Sequence, residues 1–335
     1  MPPVSLFSAA FPPSPKFTEK NLPSLTGKTY IITGSASGVG YELAKILYLA
    51  GGTVYIAARS EERCRGAIEK IVKEAKEGDS GGCKKGGKGK AEGGEGRLES
   101  LVVDLSDLRS VRKGVEDFLR REQRLDGLWH NAAVMTPPVG SLDKLGHDLE
   151  MGTNCLAPYL MTMLLEPILI RTAGMPGSVP NSVRVVFVVS MLTEGSVDGG
   201  AMSFDKNGTP TIITTKFMAN YMQSKNGGVW LALHFAERLG KHGILSVSLH
   251  PGLMRTELQR HWNVAMKLAM SVATKGPVYG AYSELYAGFS PEITQEHNGE
   301  LTNDVKEGWK SKESGGTGAS KKFLEYCDRE AKEFL

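Results

Sequence analysis

The sequence has few cysteines, no strong charge imbalance and no apolar run that approaches the length of a membrane span. The four cysteines, Cys64, Cys83, Cys155 and Cys327, form no C-x-x-C pair, which argues against a zinc site or a disulfide framework. Forty basic residues oppose 37 acidic ones, so no whole-molecule field favours nucleic acid or an anionic membrane. We therefore expect a soluble, cytoplasmic protein without a metal, a nucleic-acid partner or a membrane span.

What the sequence does contain is a regular alternation of short β-branched runs and longer helical patterns. The runs lie near residues 29–33, 53–58, 98–103, 127–130, 183–190 and 245–249. This alternation is typical of a single doubly wound α/β domain, a Rossmann fold with a mostly parallel sheet. Ligands of such sheets bind in the crevice at the carboxyl ends of the strands, so motifs at those ends matter most.

Composition separates this domain, residues 25–305, from two flanking segments. Residues 1–24 form a proline-bearing leader, and residues 306–335 form a C-terminal extension that ends in a short helical pattern. Within the domain, the Gly/Lys-rich stretch 78–96 has little to bury, which predicts a flexible insert. Residues 191–218 contain several glycines and are expected to form a substrate lid or an extra loop.

A glycine-rich turn, TGSASGVG, follows the first predicted strand and precedes a helical pattern. Glycine permits positive φ angles and close backbone approach, while the free amides of a helix start attract a pyrophosphate. The turn therefore predicts a dinucleotide-binding site. Its candidate cofactor contacts are Gly34, Ser35, Ser37, Gly38, Val39 and Gly40.

The ends of the second and third predicted strands indicate which dinucleotide binds. The second strand ends in Ala58-Arg59, without the acidic residue that would bind a ribose 2′-hydroxyl, so Arg59 favours NADP(H) through its 2′-phosphate. Alternatively, Arg59 is a solvated residue at a helix start. After the third strand, Asp104 and the backbone of Leu105 are candidates to contact the adenine, although Asp104 or Ser106 could instead cap the next helix.

The candidate reacting residues are Tyr221, Lys225 and Ser190. Tyr221 and Lys225 are four residues apart in a helical pattern and so share one face. An ammonium group close to a phenol stabilises phenolate, which predicts a lowered pKa for Tyr221. Lys225 could also reach the nicotinamide ribose. Ser190 closes the fifth predicted strand, where its hydroxyl would face the crevice and bond a substrate carbonyl.

Together these motifs resemble the classical short-chain dehydrogenase/reductase family over about residues 25–301. The matching segments are TGSASGVG, HNAAV, TNCLAPYL, Ser190 with YMQSK, and HPGLMRTEL. The leader, LWHNAAVMTPP and the HPG segment resemble, more narrowly, fungal reductases related to retinol dehydrogenases and WW-domain oxidoreductases. His130 and Ala133 depart from the N-N-A-G pattern of the family, on the adenosine side.

The resemblance implies several further roles. Asn154 would help to hold a water that links Lys225 to solvent, and Asn131, Met254 and Thr256 would contact the cofactor. It also implies a possible homodimer that pairs through the helices of Asn154 and Tyr221.

The expected function is hydride transfer between NADP(H) and a carbonyl or alcohol on a small lipophilic substrate, with an expected place in fungal secondary metabolism. The expected pocket walls are apolar and methionine-rich, although these residues could equally form core or an oligomer contact: Met135, Thr136, Pro137, Pro138, Leu253, Trp262, Met266 and Met270. Two alternatives are a catalytically silent dinucleotide sensor or partner-binding module, and a lyase or isomerase without net redox chemistry.

Overall fold

The strands of the chain form one parallel sheet with helices on both faces. The computed structural model describes residues 15–80, 96–190, 201–216, 218–254, 258–259, 274–302 and 318–335. In chain order, the strands are β1 (Thr29–Thr33), β2 (Thr53–Ala58), β3 (Arg97–Val102), β4 (Gly127–His130), β5 (Arg184–Val188), β6 (Leu245–Leu249) and β7 (Leu301–Thr302). Their order across the sheet is β3-β2-β1-β4-β5-β6-β7. The predicted doubly wound Rossmann fold is confirmed, with β7 as a strand that sequence patterning missed.

The main helices are α1 (Gly38–Leu49), α2 (Glu61–Ser80), α3 (Leu108–Arg121), α4 (Leu149–Ala173), α5 (Ala219–Leu239), α6 (Pro277–Phe289) and α7 (Ala319–Ala331). Side chains alternate between the two faces along each strand. Ile31 of β1 accordingly joins a core cluster with α3, α4, α5 and α7, while its neighbour Ile32 joins a cluster with α1, α2 and α6. All five residues of β1 are buried, as expected of a strand covered on both sides.

Several predicted boundaries shift in the structure, and two of the shifts concern predicted functional segments. Helix α2 continues to Ser80, so the first residues of the predicted insert 78–96 are helical, and residues 81–95 lie outside the described residues. Strand β5 ends at Val188, two residues before Ser190, which therefore lies in the segment beyond the strand end.

The described part of the leader packs against α6. Phe17 makes an edge-to-face contact with Tyr286, with 6.3 Å between ring centroids. Thr18 accepts a hydrogen bond from the amide of Lys20 at the start of a short 3-10 turn. Phe17 and Leu22 of this segment also pack against the hydrophobic core, so the described part of the leader is attached to the domain.

Helix α4 is long and apolar enough to cross a membrane, which the sequence analysis did not anticipate. However, 72% of its most apolar 18-residue window is buried inside the protein. Such burial is typical of a core helix whose surroundings are other helices and a sheet.

The C-terminal helix α7 packs against α4 and α5. Phe323 is fully buried, and its ring centroid lies 5.6 Å from that of Trp230 on α5. A Cβ on Gly227 would lie 2.8 Å from the Phe323 ring, so the glycine is what lets the two helices approach. Helix α7 therefore packs on both helices of the pair through which the sequence predicts a homodimer.

Candidate active site

A cavity of about 640 Å³ opens at the carboxyl ends of the strands, where the fold predicts a ligand. Most of the sequence-predicted site residues line it, from the glycine turn to the Tyr-Lys pair: Gly34, Ser37, Gly38, Val39, Arg59, Asp104, Leu105, Asn131, Ser190, Tyr221, Lys225 and Met254. Three do not line it, namely Ser35, Gly40 and Asn154. Thr256 lies outside the described residues.

The glycine turn joins β1 to α1 and brings backbone to the cavity floor. Gly34 has a φ of +70° and Gly38 a φ of +63°, both in the left-handed region that glycine adopts without strain. Ser37 precedes α1, and its side chain makes no capping hydrogen bond. The first backbone amides of α1 therefore receive no cap from the Ser37 side chain. They lie where Ser37, Gly38 and Val39 line the cavity, at the position that suits an anionic ligand.

Ser35 and Gly40 support the turn from behind. Ser35 is fully buried, and its Oγ donates to the carbonyl of Ile32 at 2.7 Å and accepts from the amide of Ala57 at 3.1 Å. The hydroxyl of Ser35 thus links β1 to β2, and both of these hydrogen bonds are made within the protein. A Cβ on Gly40 would lie 2.4 Å from Nδ2 of Asn131, so Gly40 makes room for that amide.

Asn131 ties the segment after β4 to the end of β1. Its Nδ2 donates to the carbonyl of Thr33 at 2.8 Å. The hydroxyl of Thr33 in turn accepts from the amide of Ala132 at 3.1 Å. These bonds hold the wall beside the glycine turn, and Asn131 itself lines the cavity.

At the end of β3, Asp104 is held by charged and polar neighbours. Its Oδ2 lies 2.9 Å from Nζ of Lys144, and its Oδ1 accepts from both the amide and the hydroxyl of Ser106. Burial tends to raise the pKa of Asp104, but the bonds from Lys144 and Ser106 outweigh it and lower the pKa. The cap of α3 is Asp107, which accepts from the amide of Arg109, so neither Asp104 nor Ser106 serves as the helix cap.

A second guanidinium accompanies Arg59 in the cavity wall. Arg63, on the first turn of α2, also lines the cavity. The sequence shows that Arg63 follows Arg59 by four residues, but without the bounds of the helix this spacing could not predict that both side chains line one cavity. Two arginines at one end of the cavity provide a cationic region opposite the Tyr-Lys pair.

Tyr221 and Lys225 of α5 are both buried and both line the cavity. Nζ of Lys225 lies 5.6 Å from the centroid of the Tyr221 ring and donates to the carbonyl of Val188 at 2.7 Å. Burial lowers the pKa of Lys225 to about 8, while Cys155, Glu150 and Glu284 act in the opposite direction. Burial, followed by the charge of Glu150, raises the pKa of Tyr221.

The expectation of a lowered Tyr221 pKa is therefore corrected. Helical spacing did bring the Lys225 ammonium to the Tyr221 ring, but desolvation of the buried hydroxyl is the largest influence on the Tyr221 pKa and raises it. At neutral pH Tyr221 is a phenol, which is the form able to donate a proton.

Asn154 lies where α4 widens into a π-helical turn, Gly152–Leu156. Its Oδ1 accepts from the amide of Val134 and its Nδ2 donates to the carbonyl of Val134, both at 2.9 Å. Nδ2 also donates to the hydroxyl of Ser224 at 2.9 Å. The side chain thus links the segment after β4 to α5 instead of facing the cavity.

The cavity includes residues that sequence reasoning missed. His250, in the HPG segment, is buried, and burial followed by the charge of Lys225 lowers its pKa to about 4, so it is neutral at physiological pH. Of the described residues of the predicted lid 191–218, Met218 lines the cavity and residues 201–216 do not. Those residues pack on the start of α5, for example through the bond from the amide of Ser203 to Oε1 of Gln223 at 2.8 Å.

Among the predicted substrate-pocket residues, Met135 and Leu253 line the cavity. Thr136, Pro137 and Pro138 do not line it. Trp262, Met266 and Met270 lie outside the described residues. The apolar wall is completed by residues that the sequence did not single out, including Leu149, Val189 and Leu258.

A parallel sheet with a glycine turn, a helix start and a Tyr-Lys pair around one cavity defines a Rossmann-type α/β protein with a candidate active site. No family model matches the chain. A short-chain dehydrogenase/reductase of Phomopsis amygdali is 33% identical to it over 98% of this chain and 97% of that protein. The short-chain dehydrogenase/reductase sthC of Phaeosphaeria nodorum is 37% identical over 90% of this chain and 91% of its own length. The chain belongs to the short-chain dehydrogenase/reductase family, a family of oxidoreductases.

Solved structures agree with this fold. The angucycline C-6 ketoreductase LanV with bound NADP superposes with a TM-score of 0.59 over 84% of this chain and 95% of its own, at 20% sequence identity. At this identity the similarity concerns the arrangement of sheet and helices.

Proposed function

We propose that the protein is an NADP(H)-dependent oxidoreductase that interconverts a carbonyl and an alcohol on a small lipophilic substrate. One observation carries the proposal: a single cavity joins the glycine turn and Arg59 at one end to Ser190, Tyr221 and Lys225 at the other. A volume of about 640 Å³ lies within the range of small-molecule sites.

The cationic end of the cavity supports NADP(H) over NAD(H). Arg59 and Arg63 line this end, and β2 ends without a carboxylate that would repel a 2′-phosphate. The glycine turn and the start of α1 fit a pyrophosphate, because backbone and helix dipole both offer positive charge there. The related fold of LanV was solved with bound NADP, which is consistent with this choice.

In the proposed reaction the bound nicotinamide supplies the hydride. Tyr221, kept in its phenol form by burial, donates its proton to the carbonyl oxygen. Ser190 donates a hydrogen bond to the same oxygen and polarises it. Lys225 then returns a proton to Tyr221, with Asn154 contributing to the relay by which Lys225 is reprotonated. In reverse, the same groups oxidise an alcohol.

The substrate end of the cavity favours an apolar ligand. Its wall includes Met135, Met218 and Leu253, and methionine adapts to varied lipophilic shapes. A polyketide, terpenoid, aromatic or retinoid-like carbonyl fits this description. The relatives from Phomopsis and Phaeosphaeria are fungal short-chain dehydrogenase/reductases, and we extend the proposal to a place in fungal secondary metabolism. The buried, free thiols of Cys64, Cys155 and Cys327 are consistent with a reducing cytoplasm.

The test is a depletion screen that follows NADPH absorbance with a panel of lipophilic ketones and aldehydes. The Tyr221→Phe variant removes only the hydroxyl and is expected to lower kcat by about 10²–10⁴-fold while NADPH binding changes little. Tyr286→Phe is the control, because that hydroxyl bonds Glu292 outside the cavity.

The screen also separates the alternatives. A sensor would bind NADPH without oxidising it with any carbonyl, and a lyase or isomerase would form product without a net absorbance change. Full activity in Tyr221→Phe would refute the assigned proton donor.

A further inference from the structure

Two side chains one turn apart on α4 hold the segment that follows β4. Asn154 bonds both the amide and the carbonyl of Val134. Four residues earlier, Oε1 of Glu150 accepts from the amide of Thr136 at 2.7 Å. Because Met135 between these two anchors lines the cavity, the pair fixes the position of that wall.

The anchor at Thr136 restrains an unfavourable backbone conformation. Thr136 has a φ of +47°, in the left-handed region that β-branched residues rarely adopt. Such a conformation persists only where surrounding contacts hold it in place. The bond from its amide to Glu150 is a contact of this kind, and it is strengthened when the carboxylate is charged.

Glu150 also acts on the reacting pair through space. It is only 3% exposed, and α4 packs against α5 at this point. From α5, the charge of Lys225 faces Glu150 and lowers its pKa, while Glu150 raises the pKa of Tyr221 and of Lys225. On its own helix, Asp148 raises the pKa of Glu150. No other group of the described residues contributes to this shift of Glu150 apart from burial and the Thr136 amide.

We propose that Glu150 is a positioning residue of the reaction: its carboxylate fixes the Thr136 end of the Val134–Thr136 wall and places a negative charge beside the helix that carries Tyr221 and Lys225. This inference rests on the proposed function. Burial brings the pKa of Glu150 to about 7, so its charge is present above neutral pH and is lost as the pH falls. The residue therefore contributes most on the alkaline side.

The test compares Glu150→Gln and Glu150→Ala with the wild type in NADPH-dependent carbonyl reduction between pH 5.5 and 8.5. Glutamine keeps an acceptor oxygen for Thr136 but removes the charge. The ratio of wild-type to Glu150→Gln kcat/KM is expected to be near 1 at pH 5.5 and to rise to about fivefold at pH 8, because loss of the carboxylate charge leaves less of Lys225 protonated. Glu150→Ala, which also loses the anchor, is expected to lose activity at every pH, by about 10–100-fold.

The matched control is Glu325→Gln, since the Glu325 side chain on α7 is 63% exposed and distant in sequence from the site. A pH-independent ratio for Glu150→Gln, in an active wild-type enzyme, would overturn the inference and leave the proposed function standing. A wild-type protein that reduces no carbonyl would refute the proposed function and, with it, this inference. Circular dichroism at each pH confirms that the compared variants are folded.

Discussion

Replacing Arg59 with alanine tests whether the cationic end of the cavity sets cofactor preference. Arg59 lies directly after β2 and lines the cavity, where it would pair with a 2′-phosphate. A hydrogen bond to a charged partner contributes about 1.5–3 kcal/mol, and the exposed position of Arg59 reduces this to about 1–2 kcal/mol. Because 1.4 kcal/mol is a factor of ten, Arg59→Ala is expected to raise the Kd for NADPH by about 5–30-fold.

The assay is titration of the purified protein with NADPH and with NADH, followed by fluorescence or calorimetry. The Kd for NADH is expected to change by less than about twofold, because NADH has no 2′-phosphate to lose. Arg63→Ala tests whether the second guanidinium also contributes to binding the 2′-phosphate of NADPH. Arg65→Ala is the control, since Arg65 lies on the same helix and does not line the cavity.

Two outcomes would refute the reasoning. An equal loss for NADPH and NADH would show that Arg59 supports the common part of the dinucleotide. An unchanged Kd for NADPH in both Arg59→Ala and Arg63→Ala would show that a 2′-phosphate does not bind at this end of the cavity.

Three further changes follow from the same structure. Gly40→Ala places a Cβ 2.4 Å from Nδ2 of Asn131, so that amide must move, and the Kd for NADPH measured by calorimetry is expected to rise about tenfold. An unchanged Kd would contradict the packing argument. Phe323→Ala leaves a cavity at a fully buried position on α7, and chemical denaturation is expected to show that the free energy of unfolding falls by about 3–5 kcal/mol. A decrease under about 1 kcal/mol would mean that α7 is not part of the folded core. Since burial brings the pKa of Lys225 to about 8, kcat/KM for carbonyl reduction is expected to fall as the pH rises through that value, and a flat profile to pH 10 would argue against the relay.

Much of the fold followed from patterning because parallel strands covered on both faces must be apolar throughout. The TYIIT run of β1 is such a strand, and its neighbours repeat the pattern between helical segments. Once the strands are parallel, their carboxyl ends share one edge of the sheet. That geometry brings Ser190, beyond β5, to the same cavity as Gly34, beyond β1, although 156 residues separate them.

The parts that patterning missed depend on contacts between residues distant in sequence. Asp104 gains its partner Lys144 only when the segment after β4 folds over the end of β3. Ser35 sits inside a motif full of cofactor contacts, yet its hydroxyl is used by Ile32 and Ala57. Motif membership therefore identified the turn, but not which of its side chains face the ligand.

The electrostatics of Tyr221 show why spacing alone could not predict its state. Four residues along a helix place a phenol and an ammonium on one face, and in the structure Nζ of Lys225 lies 5.6 Å from the centroid of the Tyr221 ring. The sign of a pKa shift depends on burial and on every facing charge, and both enter only with the fold. Here the enclosing wall removes water from Tyr221, and Glu150, contributed by a different helix, disfavours the phenolate further. The same burial that keeps the proton on Tyr221 lowers the pKa of Lys225 to about 8, so Lys225 is the more acidic of the two groups and the proposed relay runs from its ammonium to a Tyr221 phenolate.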